Sequence, residues 1–418
     1  MRPRRGAEDP PYCRWGSQPV SDRAQKRAQP KDGPTVPRFA FRLPPRLCAF
    51  FSLILLVALS ACAPQAPHVS AGPPRAVPVD TQRNRVALLL PLSGPQAPLG
   101  QALQQAAELA LFETNDPRVE FLPIDTAGNA TNAGDAARRA VSLGAVGMVG
   151  PLTSAETAAM TYIANAARVP VLALTNDGSL AGPGVWTLGI TPAQQMRRVM
   201  GAAMSNGARQ FGLVAPDDAF GRAMAAAMRA TAADFNLPSP AIVLYNQQAG
   251  AAGPVAELAR RTNQAMEAVV IGATGFRARE LAAALKAAAQ ENPRPILLGH
   301  ALWAADAGLA NEPALHGALY PAPDERARRD FDAQYQQAFG QTAPRVAGIA
   351  HDAALLAAGV ARSPTGTTPD AMPLINGVDG PLKLGPAGAV ERGLALYRVG
   401  ANGEAILVEG PTPPGIGY

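Results

Sequence analysis

From Arg85 onward the chain alternates short, wholly apolar runs with amphipathic stretches of ten to fifteen residues, and this alternation constrains the fold more than any other feature. Val86 to Leu90 is apolar throughout and ends at Pro91 and the loop Ser93-Gly94-Pro95. Leu99 to Phe112 then carries apolar residues at helical spacing. The pattern continues with predicted strand 119–124, helix 133–143, strand 146–149, helix 155–167 and strand 169–174. A strand apolar on both faces must be covered on both faces, so these units predict a parallel sheet between two helical layers. After Trp186 the alternation restarts with helices 192–205, 219–235, 255–261 and 277–289 and strands 211–215, 241–245, 268–271 and 296–298. That is a second α/β lobe. Helices 326–339 and 346–361 add mass without new strands. The segment 377–408 predicts short antiparallel strands with turns at Gly385-Pro386 and Asn402-Gly403. Two such lobes place a ligand between them, outside the carboxyl ends of the strands.

Upstream, Arg38, Arg42 and Arg46 precede an apolar run from Leu47 to Leu59 that closes on Ser60-Ala61-Cys62. A basic region, a short apolar core and small residues before the cut are the parts of an export signal. The run is shorter than the ~20 apolar residues of a membrane-spanning helix. Cys62 at that junction resembles the lipobox of bacterial lipoproteins, which implies export and a lipid anchor at Cys62. Residues 1–37 read as a non-native or disordered N-terminal extension, 38–61 as the signal, and 62–84, rich in Pro and Ala near its start, as a tether.

The signal changes the charge balance. Eleven of the 37 basic and four of the 32 acidic residues precede Cys62, leaving 26 and 28, so the exported part carries about −2 where the whole chain carries +5. This gives no electrostatic case for nucleic acid. Cys13 and Cys48 lie in or before the signal, so the folded part offers neither a disulfide nor a thiolate. No phosphate-binding glycine loop, nucleophile elbow or His-Glu-x-x-His pattern is present, so the expectation is a non-enzymatic protein with no cofactor and no metal. His351 and Asp352 are adjacent on a predicted helix and read as a packing pair on different faces.

A set of segments in fixed order carries a family resemblance. Arg85 to Pro95 with Gly100, Asp125 opening a loop, Val149-Gly150-Pro151-Leu152-Thr153-Ser154, Val169-Pro170-Val171, Pro216-Asp217-Asp218-Ala219-Phe220-Gly221, and Gly380-Pro381-Leu382 followed by 389–397 resemble the type I periplasmic solute-binding proteins, the leucine/amide-binding kind. The resemblance spans about 85–409 and implies two Rossmann-like lobes joined by a three-stranded hinge, crossed near Leu188, Tyr320 and Gly377. On that layout 85–190 with about 320–376 form lobe 1, and 191–319 with about 377–410 form lobe 2.

The same resemblance implies a ligand carboxylate held by Ser154 after the third strand and by groups of the 175–179 cluster after the fourth. Free N–H groups at the start of the following helix favour an anion there, although Thr153 or Ser154 equally fits an N-cap. Ser93, Thr153, Ser154, Asp177, Ser179, Thr274, His300 and Trp303 are the candidate ligand-binding residues. Two departures stand out. Asp177 would repel a carboxylate beside it, and no acid stands after strand 296–298, where the amino-acid binders hold an ammonium. Val171 to Ser179 and Gly189 to Gln195 are also similar to the "S-N-D" and "G-x-T-P-x-Q-Q" stretches of penicillin-binding-protein activators, a lipoprotein branch with the same fold. This branch implies a regulator of peptidoglycan synthesis at the inner leaflet of the outer membrane, with a penicillin-binding protein as partner. The alternative is the receptor of an ABC importer for amino acids, amides or related solutes, with a permease as partner.

Overall fold

The computed structural model describes residues 83–289, 294–402 and 404–413. The extension, the signal, Cys62 and the tether up to residue 82 lie outside the described residues. The first lobe runs β1 (Asn84–Leu90), α1 (Ala97–Thr114), β2 (Val119–Asp125), α2 (Ala130–Ser142), β3 (Ala145–Val149), α3 (Ser154–Ala167), β4 (Val171–Ala173) and β5 (Val185–Thr187). Its sheet is parallel, in the order β2-β1-β3-β4-β5. β1 shows why an uninterrupted apolar run is needed. Val86, Leu88 and Leu90 face one helical layer with Leu103 and Ala106 of α1, whereas Ala87 and Leu89 face the other with Ala136 of α2 and Met160 of α3.

The chain then crosses to the second lobe through Leu188–Thr191 and builds α4 (Pro192–Ser205), β6 (Phe211–Pro216), α5 (Ala219–Asp234), β7 (Ala241–Tyr245), α6 (Ala252–Arg260), β8 (Ala268–Ile271), α7 (Gly275–Ala288), β9 (Ile296–Leu298) and β10 (Leu319–Ala322). Alternate residues again serve two layers. Val269 and Ile271 face the layer of Leu281 on α7, while Ala268 and Val270 face Met224 and Met228 on α5. After β10 the chain returns to the first lobe. α8 (Glu325–Phe339) and α9 (Ala347–Arg362) complete its helical cover, with Ala350, Ala354 and Ala357 packed in the core that holds Leu88.

Next come β11 (Ile375–Gly377), β12 (Gly380–Leu384) and β13 (Val390–Arg392), which form a small antiparallel sheet. β14 (Ala395–Val399) then pairs antiparallel with β10 and β15 (Ala405–Glu409) antiparallel with β14, giving the second sheet the order β15-β14-β10-β9-β8-β6-β7. The small sheet differs from the sequence reading, which assigns everything from about 377 to lobe 2. Val378, Leu382 and Leu384 pack in the first-lobe core, and the indole N–H of Trp186 donates to Gly385 O at 2.9 Å. The third crossing therefore falls at Gly393–Leu394. β5 and β10, Val-Trp-Thr and Leu-Tyr-Pro-Ala, have no aliphatic run like that of Ile296–Leu298 to mark them as strands, and β10 contains Pro321.

The crossings are tied by buried polar groups. Thr191 caps α4 in a capping box with Gln194, whose amide also donates to Val390 O at 3.1 Å. Asp352 on α9 and Arg392 on β13 are both fully buried, 3.2 Å apart, and Arg392 also donates to Leu188 O at 3.1 Å. His351 reaches Asp352 at 3.5 Å and Glu113 at 3.2 Å, so the adjacent pair shares one network and does not diverge to different faces. Burial alone would depress the His351 pKa, but the two carboxylates outweigh it and hold the ring above its usual value.

Candidate ligand cleft between the lobes

A cavity of about 670 Å³ lies between the lobes. On the first-lobe side its polar wall begins at α3. Gly150, at φ +93°, brings the chain within a backbone's reach of Leu89, where a Cβ would stand 2.2 Å from the Leu89 carbonyl oxygen, and so delivers Thr153 and Ser154 to the cleft. Thr153 is the N-cap. Its hydroxyl accepts from the Glu156 N–H at 3.3 Å, and the buried Glu156 carboxylate accepts from the Thr153 N–H at 3.1 Å and from the Thr126 hydroxyl at 2.5 Å. Ser154 is the first helical residue, and its hydroxyl lies 3.1 Å from that of Thr175. Thr175 follows β4, is buried, and accepts from the Asp177 N–H at 3.2 Å. Gly189 lets the first crossing pass against it, since a Cβ there would stand 2.5 Å from Thr175 O.

Further polar groups come from the returning segment: Arg328 on α8, Arg345 before α9 and Asp379 in the turn between β11 and β12. Arg328 is fixed by Asp332 at 2.9 Å and by the Arg345 carbonyl at 2.7 Å. Arg345 reaches across the cleft to donate to Ala304 O at 3.3 Å. The second-lobe wall is different in kind. It offers Phe220, Ala301 and Leu302, with Gln195, whose amide is already committed to the Ala301 N–H at 2.8 Å and to Ile190 O at 3.2 Å.

Of the candidate residues, Thr153 and Ser154 line this cavity and the others do not. Ser93 is exposed at the loop after β1, pinned through its N–H to Asp125 at 3.1 Å. Asp177 turns onto its own loop, accepting from the N–H of Ser179 at 3.1 Å and from its hydroxyl at 2.6 Å, and does not line the cavity. Thr274 and His300 line a separate cavity of about 400 Å³ within the second lobe, beside Tyr245 and Arg277. The His300 Nε2–H donates to Ala273 O, 3.2 Å away, and burial pushes the ring's pKa down to about 4, so the ring is neutral. Trp303, with 1% exposure, belongs to the second-lobe core and donates to the same carbonyl at 2.8 Å. Gly299 is the only residue type that fits beneath it, because a Cβ would meet the indole at 2.3 Å.

Sequence reasoning missed Thr175, Gln195, Arg328, Arg345 and Asp379 as cavity-lining groups. Thr175 and Gln195 stood within quoted motifs. The other three carry no local signal, because only the return of the chain after β10 brings them to the cleft.

The described residues match a family model described as "Periplasmic binding protein" over residues 84–404. No curated protein sequence is detectably similar. Among solved structures, a Rhodospirillum rubrum protein described as a branched-chain amino acid ABC transporter is 20% identical with a TM-score of 0.66, covering 78% of this chain and 100% of that one. The C-domain of LpoA from Haemophilus influenzae, described as a regulator of PBP1A, is 18% identical with a TM-score of 0.62, covering 78% and 100%. Against full-length LpoA from the same organism the values are 18% and 0.63, and the match covers 79% of this chain and 60% of that one. At such identities the solved structures establish a common fold and no common ligand or partner. The family and these neighbours are binding proteins and regulators, and the family is an extracytoplasmic one. The chain belongs to the type I periplasmic binding protein family, with two parallel-sheet lobes enclosing the cleft.

Proposed function

We propose that this protein is an exported lipoprotein, anchored through Cys62 in the outer membrane, that regulates a peptidoglycan synthase in the manner of the penicillin-binding-protein activators. The observation that carries this reading is the one-sided cleft. A receptor that closes on an amino acid needs polar contacts from both lobes to favour the closed state. Here the hydroxyls, guanidinium groups and carboxylate all come from the first lobe, and the second presents Phe220, Ala301 and Leu302. The sequence similarity of 171–179 and 189–195 to the activator branch supports the same reading. The test is reconstitution of the protein with a purified bifunctional penicillin-binding protein. Direct association and a several-fold rise in crosslinking rate are expected, and the absence of both binding and stimulation with partners from the same cell would sink the idea.

A second reading, the receptor of an ABC importer, has its own support. The Ser154 and Thr175 hydroxyls at the start of a 14-residue helix, together with Arg345, form a wall suited to a carboxylate, and the cavity is of ligand size. Solute-dependent stimulation of a cognate transporter's ATPase would favour it over the regulator.

A further inference from the structure

One cavity-lining group is left unsatisfied by the protein's own walls. Asp379 is 3% exposed and accepts no hydrogen bond among the described residues. Its nearest cation, Arg328 Nη1, lies 3.7 Å away, beyond hydrogen-bond reach. A buried carboxylate ordinarily collects several donors. Asp352, in the same part of the lobe, does so, accepting from the Val378 N–H at 2.8 Å and from Arg392 at 3.2 Å. Asp379 instead lines the interlobe cavity, on the same side as Ser154 and Thr175.

The charges around it indicate which donor it awaits. Arg328 and Arg345 share the cavity wall, and they and Arg392 act on the Asp379 carboxyl together, with Asp352 as the opposing carboxylate. An ammonium at Asp379 would bring a positive charge into the field of three guanidinium groups, whereas a neutral amide N–H brings no net charge for them to repel. Arg328 is already paired with Asp332, whereas Arg345 has no carboxylate partner among the described residues and is the guanidinium available to a ligand carboxylate. The rest of the lining, with Leu152, Leu174, Ile190, Phe220, Val346 and Ile349, is apolar.

We propose that Asp379 is a specificity-determining residue that accepts an amide N–H, and that the cleft takes a small monocarboxylate bearing such a group and an apolar substituent, an N-acyl amino acid or its equivalent. The carboxylate lies at Ser154, Thr175 and Arg345, and the N–H reaches Asp379. A site whose polar contacts are on one lobe holds such a ligand without lobe closure, so the inference stands apart from the synthase reading.

The test is titration calorimetry on the intact protein at pH 7.5 with N-acetyl-L-leucine, L-leucine and 4-methylpentanoate. N-acetyl-L-leucine is expected to bind about tenfold tighter than 4-methylpentanoate, the worth of one charge-assisted hydrogen bond. Asp379→Ala should abolish that difference while preserving 4-methylpentanoate binding, which also shows that the variant is folded. Asp379→Asn keeps an acceptor oxygen and should recover part of it. Ser154→Ala should weaken both acids. Equal affinity of the two acids, tighter binding of L-leucine, discrimination that persists in Asp379→Ala, or no binding of any probe would each overturn the proposal. The synthase reconstitution is read out separately and is untouched by any of these results.

Discussion

Replacing Asp379 by asparagine should stabilise the protein at high pH and leave it unchanged at low pH. Burial pushes the Asp379 pKa up to about 6 from an ordinary 3.8, against the pull of Arg392 and Arg328. The folded state therefore holds this proton where the unfolded state has released it, and stability falls as pH rises from about 4 to about 6. Above that window the carboxylate is charged in both states and the full cost applies. A shift of about two units corresponds to about 3 kcal/mol at pH 8, and below pH 4 the cost vanishes. The amide of asparagine has the same shape and no charge, so it removes this term alone. For a domain of this size, about 3 kcal/mol moves the unfolding midpoint by about 4 °C. Thermal unfolding of both proteins followed by circular dichroism from pH 4 to pH 8 makes the comparison, in buffers of constant ionic strength. The expected curves coincide at pH 4 and diverge to pH 8 with the variant higher. A variant less stable at pH 8 would mean that the arginines more than offset the burial of the charge, and an offset independent of pH would mean that they just balance it; either would refute the reasoning.

Arg392→Met leaves Asp352 buried beside the first crossing without its cation, and a loss of about 3 to 5 kcal/mol in denaturant unfolding is expected; a loss below about 1 kcal/mol would mean that the pair is not holding the crossing. The pKa of His351 is raised by Asp352 and Glu113, so its contribution to stability is present when the ring is charged and is lost as pH rises past that raised value. His351→Gln should flatten this part of the pH profile of the unfolding midpoint. Trp303→Ala should cost about 3 to 5 kcal/mol by opening a hole in the second-lobe core, whereas Trp303→Phe should cost about 1 kcal/mol, most of it the hydrogen bond to Ala273 O.

The sequence by itself determined the two sheets. Val86–Leu90 and Ala268–Ile271 are apolar at every position, and a strand with no polar face has only one stable setting, between two layers of helices. The start of α3 at Thr153-Ser154 was legible for the same local reason, since capping chemistry acts within one turn. What tertiary structure alone decided is everything that depends on where a returning chain lands. Leu382 and Leu384 alternate as any half-buried strand would, and nothing in that alternation says which lobe they cover. His300 and Trp303 occupy the positions where a cleft contact is expected, yet Trp303 turns into the second-lobe core and His300 stands against Phe220 over a separate cavity. Arg328, Arg345 and Asp379 stand in no motif and carry no local signal in the sequence. They become a cleft wall because α8, α9 and β11–β13 return to the first lobe after the second has been built, and a charge 200 residues away in sequence leaves no periodic mark on the strands it comes to face.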